Sequence, residues 1–295
     1  MLPTRTSWTV ILLIILLLLS VKIETSFGNS IRNRVNQGKV VNILILGIDA
    51  RPGEVKARSD TIMLASINKK LGSAVLISIP RDTKVKVKGK NTKINMITQT
   101  EEPETCCAEV AKLLATEVDY YVLANFTGFE NIIDIIGGVH LDVDIELSSS
   151  ASGVYIKRGY QQLNGKQALL YARYRGLPDA DIGRIGRQQK LMQALAEQLM
   201  DKGNLSRIPQ LIPELCENVS TNLSISDMIF LASLSPTINR ENIITQTLPG
   251  YHYVDPYSGA SYWLVDRQIA GSMIESLFDG HRFEVELEEP PWADW

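Results

Sequence analysis

The stretch Val41-Asn42-Ile43-Leu44-Ile45-Leu46-Gly47-Ile48-Asp49 is an apolar run closed by a carboxylate. It reads as a buried strand that delivers Asp49 to the edge of a sheet. Thr61 to Ile67 and Ala74 to Ile79 read the same way, and the short turn Asn68-Lys69-Lys70-Leu71-Gly72 between them suits an antiparallel return. If the loop from Asp49 to Asp60 also joins antiparallel neighbours, Asp49 ends one strand, Asp60 begins the next and Arg81 closes the third. All three then land on one edge of the sheet.

Around that edge the sequence supplies Arg58-Ser59-Asp60, Ile79-Pro80-Arg81-Asp82, Arg173, Arg175, Arg184 and Arg187-Gln188. Carboxylates at strand ends suit a hard divalent cation that keeps positions open for substrate phosphates, and planar guanidinium groups pair with phosphate oxygens two bonds at a time. The set reads as a site for magnesium and a diphosphate. Asp82 has the stronger case as an orienting partner for a nearby arginine. Lys86, Lys88 and Lys90 alternate like a solvated strand face and are set aside.

The later members sit on helices. Gly165 to Tyr174 reads as a helix capped by Asn164, with Arg173 in its last turn, where a cation is favourable against the dipole. Arg187 to Met200 reads as a second helix with Leu191, Leu195 and Leu199 stacked, stopped by Gly203. The loop from Arg175 to Gly186 would then deliver Arg184. Thr127 and Glu130 have capping-box spacing ahead of Phe129, Ile132, Ile133 and Ile136, which form one face ended by Gly137-Gly138. Val139 to Ile145 alternates as a strand. Strands and helices intermix along the chain, as in an α/β layered domain.

Composition bounds the rest. The chain has 295 residues, 45% hydrophobic and 21% charged, with a net charge of −3. That is room for one large domain and a poor balance for a general nucleic-acid surface. Trp8 to Val21 is apolar except for Thr9 and Ser20 and lies between Arg5 and Lys22. It enters a membrane as a signal peptide or a signal anchor. With no convincing small-x-small cleavage site in Lys22 to Ser30, a retained single-pass anchor is expected: residues 1–7 cytoplasmic, 8–21 in the membrane, 22–40 an extracytoplasmic spacer, 41–280 the catalytic domain outside the cell, and 281–295 a solvated acidic tail with Glu284, Glu286, Glu288 and Glu289. Of the three cysteines, Cys106 or Cys107 could pair with Cys216, or all three could be unpaired core thiols. His140, His252 and His281 have no zinc-ligand spacing.

Nine motifs in order carry a family resemblance. They are Gly47-Ile48-Asp49-Ala50-Arg51, Arg58-Ser59-Asp60-Thr61, Ser78-Ile79-Pro80-Arg81-Asp82-Thr83, Lys93-Ile94-Asn95, Asp119-Tyr120-Tyr121-Val122, Gly137-Gly138-Val139, Leu163-Asn164-Gly165, Tyr171-Ala172-Arg173-Tyr174-Arg175 and Gly183-Arg184-Ile185-Gly186-Arg187-Gln188-Gln189. Over roughly residues 40 to 200 the chain resembles the LytR-CpsA-Psr family. Ser261-Tyr262-Trp263 is similar to that family's C-terminal part.

The resemblance implies an α/β/α sandwich with a central mixed sheet, enclosing an apolar tunnel for a polyprenyl chain. It also implies transfer of a glycopolymer from a polyprenyl diphosphate carrier to a cell-wall acceptor, commonly a peptidoglycan muramic-acid hydroxyl. Matched motif by motif, Asp49 and Asp60 correspond to the magnesium-associated acids, and Arg58, Arg81, Arg173, Arg175, Arg184 and Gln188 to the diphosphate-contacting set. Asp49, Asp60, Arg81, Arg173 and Arg184 are the expected catalytic group, with Asp49 the first candidate for general base. Two rivals share these residues: a membrane-linked regulator that binds lipid-linked sugars without transferring them, and a hydrolase of the lipid diphosphate. A DNA-binding regulator is disfavoured by the charge and by the lack of a helix-turn-helix signal.

Overall fold

The computed structural model describes residues 31–50, 56–118, 120–150, 152–174, 176, 180–199 and 219–286. Fourteen strands are named in chain order: β1 Val41–Ile48, β2 Ser59–Asn68, β3 Ser73–Ser78, β4 Lys84–Val87, β5 Lys90–Lys93, β6 Tyr120–Asn125, β7 Val139–Val143, β8 Leu147–Ser149, β9 Val154–Ile156, β10 Gly159–Leu163, β11 Val219–Thr221, β12 Ile243–Thr247, β13 Gly250–Val254 and β14 Ser261–Val265. The helices are α1 Ile31–Asn36, α2 Ile97–Thr100, α3 Pro103–Leu114, α4 Phe126–Ile135, α5 Gly165–Arg173, α6 Ala180–Leu199, α7 Ile225–Leu234 and α8 Arg267–Phe278.

Six strands form one mixed sheet in the order β11-β6-β1-β2-β3-β12. β1 to β3 run antiparallel in succession, while β6 pairs parallel to β1 and β12 parallel to β3. This is the expected layered α/β architecture with a central mixed sheet. The apolar strand runs are as long as they are because one face of the sheet is covered throughout and the other at its ends.

One face is sealed. Leu44 and Leu46 of β1 stand opposite Leu64 and Ile62 of β2, and with Val75 and Ile77 they pack beneath Cys106 and Val110 of α3 and Met273, Ile274 and Leu277 of α8. Each such buried aliphatic side chain contributes about 1.5–3 kcal/mol relative to exposure. Polar Asn42 is tolerated at the end of this face because Ser66 Oγ donates to its Oδ1 at 2.7 Å and its amide donates to the Glu117 carbonyl at 2.7 Å.

The opposite face is closed only at its ends. Val41 and Ile43 lie under Ile31 and Val35 of α1 and Leu234 of α7. A second cluster joins Ile133 of α4, Val139 and Leu141 of β7, Tyr171 of α5 and Leu191 and Leu195 of α6. Ile45, Ala65 and Ala124 of the sheet are only half-buried, and so are Val122 of the sheet with Met228, Phe230 and Leu231 of α7, packed against the first cluster, and Phe129, Ile132 and Ile135 of α4, packed against the second.

Several expectations need correction. Residues 31–36, assigned to a spacer, form α1, whose Ile31 and Val35 are buried one turn apart while Arg34 bonds Glu117 at 2.6 Å. The cap of α4 is Asn125, whose side chain accepts from Gly128 N at 2.8 Å, in place of Thr127. Lys88 sits in the β4–β5 turn at positive φ, so only Lys86 and Lys90 are strand residues. α6 starts at Ala180, placing Arg184 inside the helix and not in a preceding loop. Gly183 and Gly186 argue locally against that early start, and the buried side chains of Arg184, Arg187 and Gln188 override them.

In the tail, Glu284 and Glu286 are exposed while Phe283 and Val285 pack on the main core. Cys106 and Cys107 are buried, and burial pushes the Cys106 thiol well above its usual range. Cys216 and Trp8–Val21 lie outside the described residues, among which no helix is long and apolar enough to cross a membrane.

Candidate functional site

The antiparallel register brings the first members together. Ile48 stands opposite Ser59 after a shift between Gly47 and Ile48, and Asp49 N continues the ladder by donating to the Arg58 carbonyl at 3.4 Å. Asp49, Arg58 and Asp60 therefore share the end of β1 and the start of β2. Arg81 arrives three residues beyond β3, on a turn in which Thr83 N donates to the Pro80 carbonyl at 2.9 Å. These four line a cavity of about 590 Å³ with Lys56, Ala57, Asp82, Lys93, Asn95, Met96 and Gln99.

Charges within the cavity are paired but accessible. Arg81 Nη1 donates to Asp60 Oδ1 at 2.8 Å, and its Nε lies 3.9 Å from Asp82 Oδ2. Lys93 Nζ holds the other Asp82 oxygen at 2.7 Å. Asp82 thus lies beside Arg81, beyond hydrogen-bond distance of its Nε, and is paired with Lys93. Arg58 makes a longer contact, 3.4 Å from its Nε to Gln99 Oε1. Lys93, Asn95 and Gln99 were missed as site residues. Lys93-Ile94-Asn95 was recognisable as a motif, but its place depends on Ile94 N bonding Thr83 O at 2.8 Å and Asn95 N bonding Arg81 O at 3.2 Å, which fold the β5 return onto the Arg81 turn.

Arg173 joins from another element. β6 runs parallel to β1 with Asn125 opposite Ile48, so α4 begins beside the cavity. The guanidinium of Arg173, at the end of α5, lies 3.9 Å from the Phe126 ring centroid, and its Nη2 is 3.4 Å from Asp49 Oδ2. Stacking holds the guanidinium plane while leaving its edge for an anion. α5 is brought this near because Gly165 has no side chain: a Cβ there would fall 2.2 Å from the Glu130 carbonyl oxygen of α4. Asn164 and Gln167 complete a capping box at its start.

The remaining predicted residues fall elsewhere. Arg184, Arg187 and Gln188 are buried in α6, at 3%, 6% and 9% exposure. Gln188 Nε2 donates to the Ala172 carbonyl at 3.3 Å and Arg187 Nη2 to the Tyr174 carbonyl at 2.6 Å. Both clip α6 to the segment that carries Arg173. Beneath them Tyr171 is fully buried, and burial together with the Asp144 carboxylate pushes its phenol far above the usual range. Arg175 lies outside the described residues.

The cavity's donor set fits magnesium. Asp49, Asp60 and Asp82 line one space with Asn95, whose buried Oδ1 has no hydrogen-bond partner. Among the described residues no group of three or more histidine, cysteine, aspartate or glutamate residues is gathered as a metal cage. Magnesium asks for less, being held by one or two carboxylates together with substrate phosphates and water.

The LytR_cpsA_psr family model matches residues 20–279. A protein of Bacillus mycoides (strain KBAB4), named polyisoprenyl-teichoic acid–peptidoglycan teichoic acid transferase TagU, is 37% identical over 198 residues, covering 66% of this chain and 64% of that protein. The similarly named TagV of Bacillus subtilis (strain 168) is 31% identical over 241 residues, 76% of this chain and 61% of its own. The chain thus matches less than two thirds of the length of each. The crystal structure of B. subtilis TagV superimposes with a TM-score of 0.71 at 29% identity, covering 82% of this chain and 97% of that one.

Proposed function

The chain belongs to the LytR-CpsA-Psr family, and we propose that it transfers a glycopolymer from a polyprenyl diphosphate carrier to a cell-wall acceptor, a peptidoglycan muramic-acid hydroxyl. The observation that carries this reading is the convergence of Asp49, Asp60 and Arg81 in one cavity, with Arg173 reaching Asp49 from α5. Carboxylates and guanidinium groups held face to face in an accessible site form a pre-organised receptor for a metal-bridged diphosphate. The names of the relatives, which are teichoic acid transferases, support the same reading.

In the proposed step the acceptor hydroxyl oxygen attacks the phosphorus attached to the glycopolymer. The bond from that phosphorus to the bridging oxygen breaks, polyprenyl phosphate leaves with the electron pair, and the polymer becomes linked by a phosphodiester. Arg81 and Arg173 neutralise charge on the phosphoryl oxygens, and Arg58 lies free enough at the rim to meet the second phosphate. Asp49, 52% exposed at its side chain, accepts the hydroxyl proton. Asp49 and Asp60 would hold magnesium, which supplies further positive charge toward the phosphates. Gln188 acts here by fixing α6 against the end of α5.

The half-buried apolar residues Ile45, Val122 and Ala124 on the sheet and Phe129 and Ile132 on α4 offer a place for the polyprenyl chain. Anchoring through Trp8–Val21 would hold the domain where a membrane-embedded carrier can enter it.

The test combines purified protein, magnesium, peptidoglycan and a lipid-diphosphate-linked oligosaccharide. The expected products are polyprenyl phosphate and phosphodiester-linked polymer. Release of polyprenyl diphosphate, with no phosphorus in the linkage, would rule out phosphotransfer. Release to water alone would make the protein a hydrolase, and tight binding without turnover would make it a regulator.

A further inference from the structure

Beside the cavity just described lies a second one, of about 640 Å³, lined by Lys84, Val85, Lys86, Asn91, Glu109, Lys112, Leu113, Tyr251, Leu264, Val265, Asp266 and Arg267. The two share a hairpin. Lys84 of β4 and Lys93 of β5 are directly paired in register, as are Lys86 and Asn91, so their side chains project to the same face, with neighbouring Cβ atoms roughly 5 Å apart. Lys93 lines the first cavity, and Lys84, Lys86 and Asn91 line the second. One face of one hairpin therefore runs from the diphosphate site into the second cavity.

Its charges are arranged unevenly. Glu109 is occupied by Lys112 at 2.6 Å. Asp266 caps α8 by accepting from Gln268 N and Ile269 N at 3.1 and 3.0 Å, and its other oxygen lies 3.3 Å from the Tyr251 hydroxyl. Lys84 is held over the Tyr253 and Tyr262 rings, 5.2 and 5.0 Å from their centroids, and so ties the β13–β14 hairpin to β4. Both carboxylates are thus engaged, while Lys86 of β4 and Arg267 of α8 have no hydrogen-bond or ion-pair partner among the described residues. Val85, Leu113, Leu264 and the Tyr251 ring supply apolar wall to the same cavity.

We infer that this second cavity is the subsite for the acceptor: a glycan whose sugar rings lie on the apolar wall and whose carboxylates are held by Lys86 and Arg267. An apolar lining with a few convergent polar groups is what fixes a ligand's orientation, and unpaired cations select for anionic substituents. That the ligand is the acceptor of a transfer rests on the transferase reading above; that the cavity takes a carboxylate-bearing glycan rests on its own lining. The shared hairpin explains how a bulky acceptor presents one hydroxyl to the phosphorus while most of its mass stays outside the charged site.

The test uses the full chain in detergent and a soluble disaccharide-peptide fragment of peptidoglycan with free carboxylates, beside the same fragment amidated. The expected result is saturable binding of the free-carboxylate form, weakened about tenfold by amidation or by either Lys86→Glu or Arg267→Glu. Lys90→Glu, on the same hairpin but outside the cavity, should leave it unchanged. Absence of binding to the wild type, or affinity in both cavity variants equal to that of the wild type, would overturn the subsite. Transfer with an unaltered half-saturating acceptor concentration in both variants would also remove it while leaving the transferase reading standing. Fragment binding that depends on Lys86 and Arg267, in a protein that cleaves no lipid diphosphate, would keep the subsite and remove the transferase reading.

Discussion

Two groups of arginines set this molecule's two working regions apart. Arg81 and Arg173 meet carboxylates in side chains that are 24% and 49% exposed, through contacts of 2.8 and 3.4 Å that an incoming phosphate can replace. Arg184 and Arg187 are nearly inaccessible, and Arg187 is committed to a backbone carbonyl. The same side chain therefore serves two ends, an exchangeable charge in the cavity and a fixed strut in α6. Accessibility, and not residue type, separates them.

The sharpest way to break that contrast is at the acids. Asp60→Ala or Asp49→Ala should lower magnesium-dependent turnover on the order of a thousandfold with the thermal midpoint nearly unchanged. Full turnover of either variant at limiting magnesium would show that the metal is held elsewhere. Next come the accessible arginines. Arg81→Ala and Arg173→Ala should each cost roughly a hundredfold in kcat, and lysine at either position should restore little because it lacks the planar fork. A steady-state series that found Lys as good as Arg would reduce these groups to simple point charges.

The buried strut should answer in stability before rate. Arg187→Ala removes a buried charged donor from the Tyr174 carbonyl and should cost about 2 kcal/mol, read in denaturant unfolding. Its activity loss should track the displacement of Arg173, so kcat should fall more than the affinity for lipid diphosphate. An unchanged unfolding midpoint would return Arg187 to the ligand-contacting group. The smallest effect is expected at the start of α5. Asn164→Ala breaks the capping box and should cost about 1 kcal/mol with activity nearly intact.

The antiparallel trio was legible because β1 to β3 are continuous apolar runs with a short turn between β2 and β3, and each ends or begins at a charged residue that cannot be buried unpaired. The Asn164 cap was legible for a similar reason, since a side-chain amide before a helical run has one obvious use. Lys93 and Asn95 were not assigned to the site. They enter it only because the β4–β5 hairpin folds back and its far end bonds the turn at Arg81, and no local pattern encodes which turn a hairpin will meet. The true cap of α4 was missed because Asn125 is also the last residue of β6, and Thr127 with Glu130 offered a competing pattern.

By itself, then, the sequence determined the strand ends, the family and the chemical character of the site, because hydrophobic periodicity and charge type are properties of neighbouring residues. Tertiary structure alone decided which arginines can reach a ligand. Arg173 and Arg184 are eleven residues apart in the chain and look alike there. One is stacked on Phe126 at the cavity because β6 lies parallel to β1, and the other is enclosed in α6. Solvent exposure is fixed by long-range packing, and no short stretch of sequence contains it.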